Sequence, residues 1–248
     1  TLEDGAFMHV LASELPSDQV TGKLDWARRF DHMQHHTGQH ILSAAFWEVA
    51  KARTVGFHLG AESVTIDLDQ PHIPPAKLDA AEDLANQIVV QDVPVRVWFP
   101  TAEELASLKL RKKPTVAGNI RIVQVGAVDV VACGGTHVAH SGEVGIIKVL
   151  KLDKHGEQTR VEFRCGGRAL LDYRRKNAMV NKLAAEFTVG HGEIDEAVAR
   201  LRAEDKSLRA ALNRAHAQLL ESEASDLLQG AAKYGGLRII RRAFADRQ

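Results

Sequence analysis

Between residues 31 and 51, apolar side chains recur at helical spacing: Met33, Ile41, Leu42, Ala45, Phe46 and Val49, with Asp31 placed to cap the start. Gly38 is the one helix-weakening residue in that run, so it predicts a single, mostly buried helix, and that helix carries His32, His35, His36 and His40. Short alternating runs around Phe57 and over 63–68 predict strands. Pro74 and Pro75 open a helix to about Gln91, and 93–99 alternates again as a strand. Thr101 caps a short helix ending near Leu108. Residues 120–125 and 128–133 flank Gly126-Ala127 as a hairpin, and 146–152 with 159–164 flank Lys154-His155-Gly156 as another. Helices mixed irregularly with hairpins predict an α+β fold, an antiparallel sheet with flanking helices.

The pattern changes after residue 190. Ile194, Val198, Leu201, Asp205, Leu208, Leu212, Ala215 and Leu219 alternate spacings of four and three, the heptad signature of a coiled-coil helix. Two readings stay open: a helix that pairs two chains or acts as a spacer, and an antiparallel hairpin with the helix over 169–187. Asp205 in the seam weakens a tight parallel dimer. At the ends, residues 1–24 hold too few apolar positions for a core of their own. Residues 237–244 read as one strand after Gly235-Gly236, without a partner. Both ends are expected to be pieces of larger domains.

Composition narrows the function classes. The 248 residues are 45% hydrophobic, enough for a buried core. Lys plus Arg and Asp plus Glu are both 32, so overall charge argues for neither nucleic acid nor membrane, and an RNA partner would have to dock on local basic patches. No apolar run approaches the roughly 20 residues of a membrane-spanning helix, and nothing resembles a secretion signal. A soluble, cytoplasmic protein is the expectation. Cys133 and Cys165 are too few for a disulfide framework, so reduced thiols are the default and Cys165 reads as structural.

One constellation carries chemistry. Side chains four apart on a helix lie about 5–6 Å apart at Cβ, so two histidines at that spacing can share one metal ion. His36 with His40 satisfies this, and so does His32 with His36; spacing alone leaves the choice open. Histidines on a helix are more often a polar rim. The distant run Cys133-Gly-Gly-Thr-His137 raises the metal reading, because Gly134 and Gly135 let the chain turn so that a thiolate and an imidazole point one way. Three imidazoles and a thiolate suit zinc. A zinc protease would need Glu after the first histidine, where Thr37 stands.

The run Asp31-His-Met-Gln-His-His-Thr-Gly-Gln-His-Ile-Leu42 and the later Cys-Gly-Gly-Thr-His-Val138 resemble the two zinc motifs of alanyl-tRNA synthetase editing domains and the free-standing AlaX-type editing proteins. Phe57-His-Leu-Gly60 and Arg160-Val-Glu-Phe-Arg-Cys-Gly-Gly-Arg-Ala169 extend the resemblance over roughly residues 25 to 188. It implies zinc on His36, His40, Cys133 and His137, with His32 and His35 outside the shell. It also implies a domain plan: the remnant of an N-terminal β-barrel over 1–25, an editing domain over 26–188, a coiled-coil helix over 189–232 and the start of a C-terminal domain over 233–248. The implied activity is hydrolysis of the ester that joins serine or glycine to tRNA(Ala). Four protein ligands usually close a structural zinc site, so the role of the ion stays open.

Around the metal, Thr37, Gln39, His58 and Thr136 are the pocket candidates. The resemblance leads one to expect a polar residue, often Gln, near His58, and histidine there is a departure. Lys109, Arg111, Lys112 and Lys113, with Arg168, are the basic candidates for tRNA contact. Two other functions stay in view: threonyl-tRNA-type editing, and a zinc-stabilised RNA-binding or dimerisation module without turnover.

Overall fold

The computed structural model describes residues 2–3, 6–7, 10–14, 19–61, 63–112 and 118–241. They fall into two compact units, Thr1–Tyr173 and Arg174–Gln248. The order is β1 (Leu2–Glu3), β2 (Ala6–Phe7), α1 (Trp26–Ala50), β3 (Thr54–Leu59), β4 (Val64–Leu68), α2 (Pro75–Val90), β5 (Val95–Trp98) and α3 (Ala102–Ser107). There follow β6 (Ile122–Val125), β7 (Asp129–Ala132), β8 (Ile147–His155), β9 (Gln158–Cys165), α4 (Gly166–Phe187), α5 (Ile194–Gln229), β10 (Ala232–Tyr234) and β11 (Leu237–Ile239). Every strand pairing is antiparallel, and the class is α+β.

Beside the short β1-β2 ladder, the first unit is built on two larger sheets, β3-β4-β9-β8 and β5-β6-β7, rather than one. Along β4 the pleat sends Val64, Ile66 and Leu68 into the core, while Thr65 and Asp67 take the other face. Val161 and Phe163 of β9 join that core, and Ile41, Leu42, Ala45 and Phe46 of α1 and Ala81, Ala85 and Ile88 of α2 close over it. All are nearly inaccessible, and fully burying each large side chain contributes roughly 1.5–3 kcal/mol. α1 is longer than its hydrophobic period suggests. It starts at Trp26 because Asp25, not Asp31, accepts the Arg28 N–H as N-cap (3.1 Å), and it ends at Lys51 in the left-handed region.

Asp31 has a different task. Both its carboxylate oxygens accept from Arg168, which also donates to the Gly60 carbonyl, and so the start of α4 is tied to α1. His35 ties α1 to β9. Its Nδ1–H donates to the Asp31 carbonyl (2.7 Å), and its Nε2 accepts the Cys165 N–H (3.1 Å). Gly38 is required where α1 meets β9, since a Cβ there would stand 2.4 Å from the Cys165 sulfur.

In the second unit α5 runs for 36 residues. Its seam leucines Leu201, Leu208, Leu212 and Leu219 are 53%, 70%, 67% and 62% exposed, so the heptad seam is largely open. The strand expected alone after Gly235-Gly236 has a partner: β11 pairs with β10 across those two glycines, both at positive φ. Residues 242–244, also expected in that strand, lie outside the described residues. Among the described residues no helix is long and apolar enough to cross a membrane.

Candidate metal centre

Helical and strand periodicity meet at one point. His36 and His40 lie one turn apart on α1. Asp129 and Val131 share a face of β7 by its two-residue period, and Cys133 follows directly after the strand's end. The hairpin of β6 and β7 turns at Gly126 (φ 49°), and the chain then leaves β7 through Cys133-Gly-Gly-Thr-His137. Arg121 pins this exit, donating to the carbonyls of Cys133 (2.8 Å) and Gly135 (2.6 Å). Gly135 has to be glycine for packing, since a Cβ there would stand 2.1 Å from Cε1 of His36.

The result is four donors, from His36, His40, Cys133 and His137, all within 4.8 Å of one another. The Cys133 sulfur is 3.3 Å from Nε2 of His36 and 3.4 Å from Nε2 of His137. Burial alone would raise the Cys133 thiol, but the hydrogen bonds from His137, His36 and His40 outweigh it and bring the pKa down to about 3. Burial, helped by the charges of His40 and His36, brings His137 down to about 4, so it stays a neutral imidazole. A thiolate and a neutral imidazole are the forms that bind metal. The residues therefore fit a metal ion, and this donor set is one zinc takes.

Around the donors lies a second ring. Nδ1 of His40 donates to Asp129 Oδ2 (2.9 Å), leaving Nε2 for the cluster. Burial works against a charged His40, yet the Asp129 carboxylate and the Cys133 thiolate more than offset it and raise its pKa. Asp129 is itself buried and is gripped by Arg111, Nε to Oδ1 at 2.7 Å and a terminal nitrogen to Oδ2 at 3.2 Å. Nδ1 of His137 faces the Thr37 hydroxyl at 3.2 Å, and that hydroxyl also accepts the Val138 N–H. Phe57 stacks on the His36 ring, with centroids 5.4 Å apart. A cavity of about 190 Å³ opens beside the donors, walled by Gln39, Val55, Phe57 and Lys112 among others.

The sequence-based candidates divide on this geometry. Thr37 lies behind His137, buried, rather than in the open cavity. Gln39 lines the cavity, with its amide nitrogen donating to Ser43 Oγ (2.8 Å). Thr136 is exposed in the turn. His58 is not brought to the donors. Strand alternation turns Phe57 toward His36 and His58 the other way, 3.6 Å from Asp67, beside a separate cavity with Arg160 and Glu162. His32 is outside the cluster as well.

Of the basic candidates, Arg168 and Arg111 spend their charge on buried or half-buried carboxylates, Asp31 and Asp129. Lys109 and Lys112 are exposed, and Lys113 lies outside the described residues. The residues that pattern reading passed over are Asp129 and Arg121. A carboxylate at an inward position in the run Val128-Asp-Val-Val131 was the available signal for Asp129.

Residues 120–162, which hold the hairpin, Cys133 and His137, match the family described as the threonyl and alanyl tRNA synthetase second additional domain. The chain is 41% identical over 176 residues to the alanyl-tRNA editing protein AlaX-L of Pyrococcus horikoshii, covering 68% of this chain and 43% of that protein. The chain belongs to the family that alanyl-tRNA editing proteins of the AlaX type share with the editing domains of alanyl-tRNA synthetases. Within it, the Xenopus laevis alanyl-tRNA editing protein Aarsd1-A is 35% identical over 207 residues, covering 82% of this chain and 50% of that protein. Family likeness extends to an alanine–tRNA ligase, that of Pyrococcus abyssi, at 33% over 232 residues, which is 87% of this chain and 25% of the ligase. The chain thus spans half or less of the length of these AlaX-type relatives.

Proposed function

We propose that this chain holds one zinc ion on His36, His40, Cys133 and His137 and hydrolyses the ester of mischarged tRNA(Ala), with serine or glycine as the amino acid removed. The observation that carries this reading is the convergence of four donors at the edge of an open cavity. His36, His40 and Cys133 line that cavity directly, so a substrate in it would meet the ion, and catalysis on four protein donors then requires the ion to expand its shell or one donor to bind weakly. The AlaX-type relatives supply the substrate class by their names.

When bound, the ion can polarise an ester carbonyl or lower the pKa of a water, which an already activated aminoacyl ester makes sufficient. The chain's own residues hold and orient. Asp129 fixes His40 in the tautomer that leaves Nε2 free, and Arg111 keeps Asp129 charged. Thr37 fixes His137 in the same way. Ser43, which accepts from both Gln39 and Thr54 (2.6 Å), holds the Gln39 amide against the cavity wall to meet the polar end of a small amino acid. A cavity of about 190 Å³ suits serine or glycine better than a large side chain. His58 takes no part in this reading.

The test is deacylation of Ser-tRNA(Ala), Gly-tRNA(Ala) and Thr-tRNA(Thr) by the chain and by Cys133→Ala. The proposal expects turnover of the first two and its loss in the variant. Binding of zinc with all three substrates left intact would favour an RNA-binding module without turnover, and cleavage of Thr-tRNA(Thr) alone would favour threonyl-type editing.

A further inference from the structure

A second, larger cavity adjoins the one at the donors. It measures about 550 Å³, and Thr54, Val55, Arg111 and Lys112 wall both; Trp47 and Arg53 complete it. We infer that this second cavity seats the terminal nucleoside of the RNA acceptor strand, with its base stacked on Trp47 and its phosphate toward Lys112. The inference rests on the aminoacyl-tRNA reading above and extends it from the ester to the nucleoside that carries it.

Three observations point the same way. The first is size. A cavity of about 550 Å³ lies in the roughly 300–1,000 Å³ range of small-molecule sites, while that at the donors, about 190 Å³, falls below it. Serine or glycine fits the smaller space and leaves the larger one for the rest of the substrate. The second is placement. His36, His40, Ser43 and Trp47 follow one another at spacings of four, three and four, so they share a face of α1. Seven residues at about 1.5 Å each put Trp47 roughly 10 Å along the axis from His40, a span that one nucleoside bridges.

The third observation is chemistry. Trp47 is a large aromatic ring at the cavity wall, 40% exposed, so part of the indole is open to a ligand. An indole face beside cations is how proteins hold single-stranded bases without reading their sequence. The cations are not equivalent. Arg53 is paired with Asp69 at 2.7 Å, and Arg111 is locked to Asp129. Lys112 is exposed and has no ionic partner among the described residues, which leaves it for a phosphate. Lys51 lies 5.8 Å over one face of the Trp47 ring but is paired with Glu48 at 3.5 Å and does not line the cavity, so the base is assigned to the other face.

The experiment uses the zinc-loaded chain and the trinucleotide 5′-CCA-3′. Binding is followed by calorimetry for wild type, Trp47→Ala and Trp47→Phe, with zinc content confirming that each variant is folded. In parallel, KM and kcat are measured for Ser-tRNA(Ala). Trp47→Ala should weaken trinucleotide binding and raise KM by about 10-fold or more, with kcat little changed, and Trp47→Phe should keep most of both. Unchanged trinucleotide affinity and unchanged KM in a zinc-loaded Trp47→Ala protein would overturn the seat while leaving hydrolysis standing. If wild type cleaves no ester yet binds the trinucleotide through Trp47, the seat stands and the hydrolytic reading falls.

Discussion

Asp129 Oδ2 lies 2.9 Å from Nδ1 of His40, at the meeting of a strand and a helix 89 positions apart in sequence. The carboxylate is fully buried, and its charge is balanced by Arg111. An outer carboxylate of this kind fixes the ring and tautomer of a metal-binding histidine, and its removal typically costs 10–100-fold in metal affinity. Asp129→Asn is therefore expected to weaken zinc binding by about 10–100-fold in chelator competition. Wild-type affinity in a folded Asp129→Asn protein would show that His40 needs no such support.

Two glycines separate loss of metal from loss of stability. Gly135→Ala would put a methyl 2.1 Å from the His36 ring, which cannot move without leaving the cluster. Gly38→Ala would press on the Cys165 sulfur at 2.4 Å, inside the core. We expect Gly135→Ala to lose zinc stoichiometry with little change in the melting of the apoprotein. Gly38→Ala should keep zinc and lose about 1–3 kcal/mol of stability from overpacking. Metal analysis and thermal melts on both proteins read the difference.

His58 and Gln39 make a matched pair for activity. Gln39 walls the donor cavity and His58 does not. Gln39→Ala is expected to lower kcat/KM for Ser-tRNA(Ala) by roughly 2–10-fold, the equivalent of one hydrogen bond. His58→Ala should leave it unchanged. A large loss in His58→Ala would place the reaction on the other face of the sheet.

The Asp67–Arg160 pair gives a pH dependence. The Arg160 guanidinium, bonded to both oxygens at 2.7 and 2.9 Å, holds the Asp67 carboxyl below its ordinary 3.8 despite burial. A depressed carboxyl contributes stability that is present above its unfolded value and is lost as pH falls through its folded value. Asp67→Asn should thus be less stable than wild type at pH 7, and the gap should narrow as pH drops below about 3.8. Urea unfolding of both apoproteins at pH 7 and pH 2.5 measures it. A gap that does not shrink between pH 7 and pH 2.5 would assign the loss to packing rather than to charge.

Much of the first unit can be read from its periodicity. The helices opened by Pro75 and Thr101 and both hairpins need only local signals: proline at a first turn, a capping box from Thr101 to Glu104, and glycine between β-branched runs. What stays hidden depends on distance. The division into two sheets depends on pairings such as β4 with β9, which no local pattern specifies. The bonds of Asp31 to Arg168 and of Asp129 to Arg111 turn basic residues that look like RNA contacts into internal braces. His58 sits beside Phe57 in sequence, and only the pleat of β3 shows that the two face opposite ways.

The ion on His36, His40, Cys133 and His137 is expected to serve hydrolysis rather than folding. The most direct test is to strip zinc with a chelator and follow far-ultraviolet circular dichroism and Ser-tRNA(Ala) deacylation together, then to add back one equivalent. Because the core of α1, α2 and the four-stranded sheet contains none of the donors, the fold should persist. Turnover should vanish on stripping and return with the metal. Undiminished turnover in the stripped protein, or collapse of the fold together with the metal, would contradict that role.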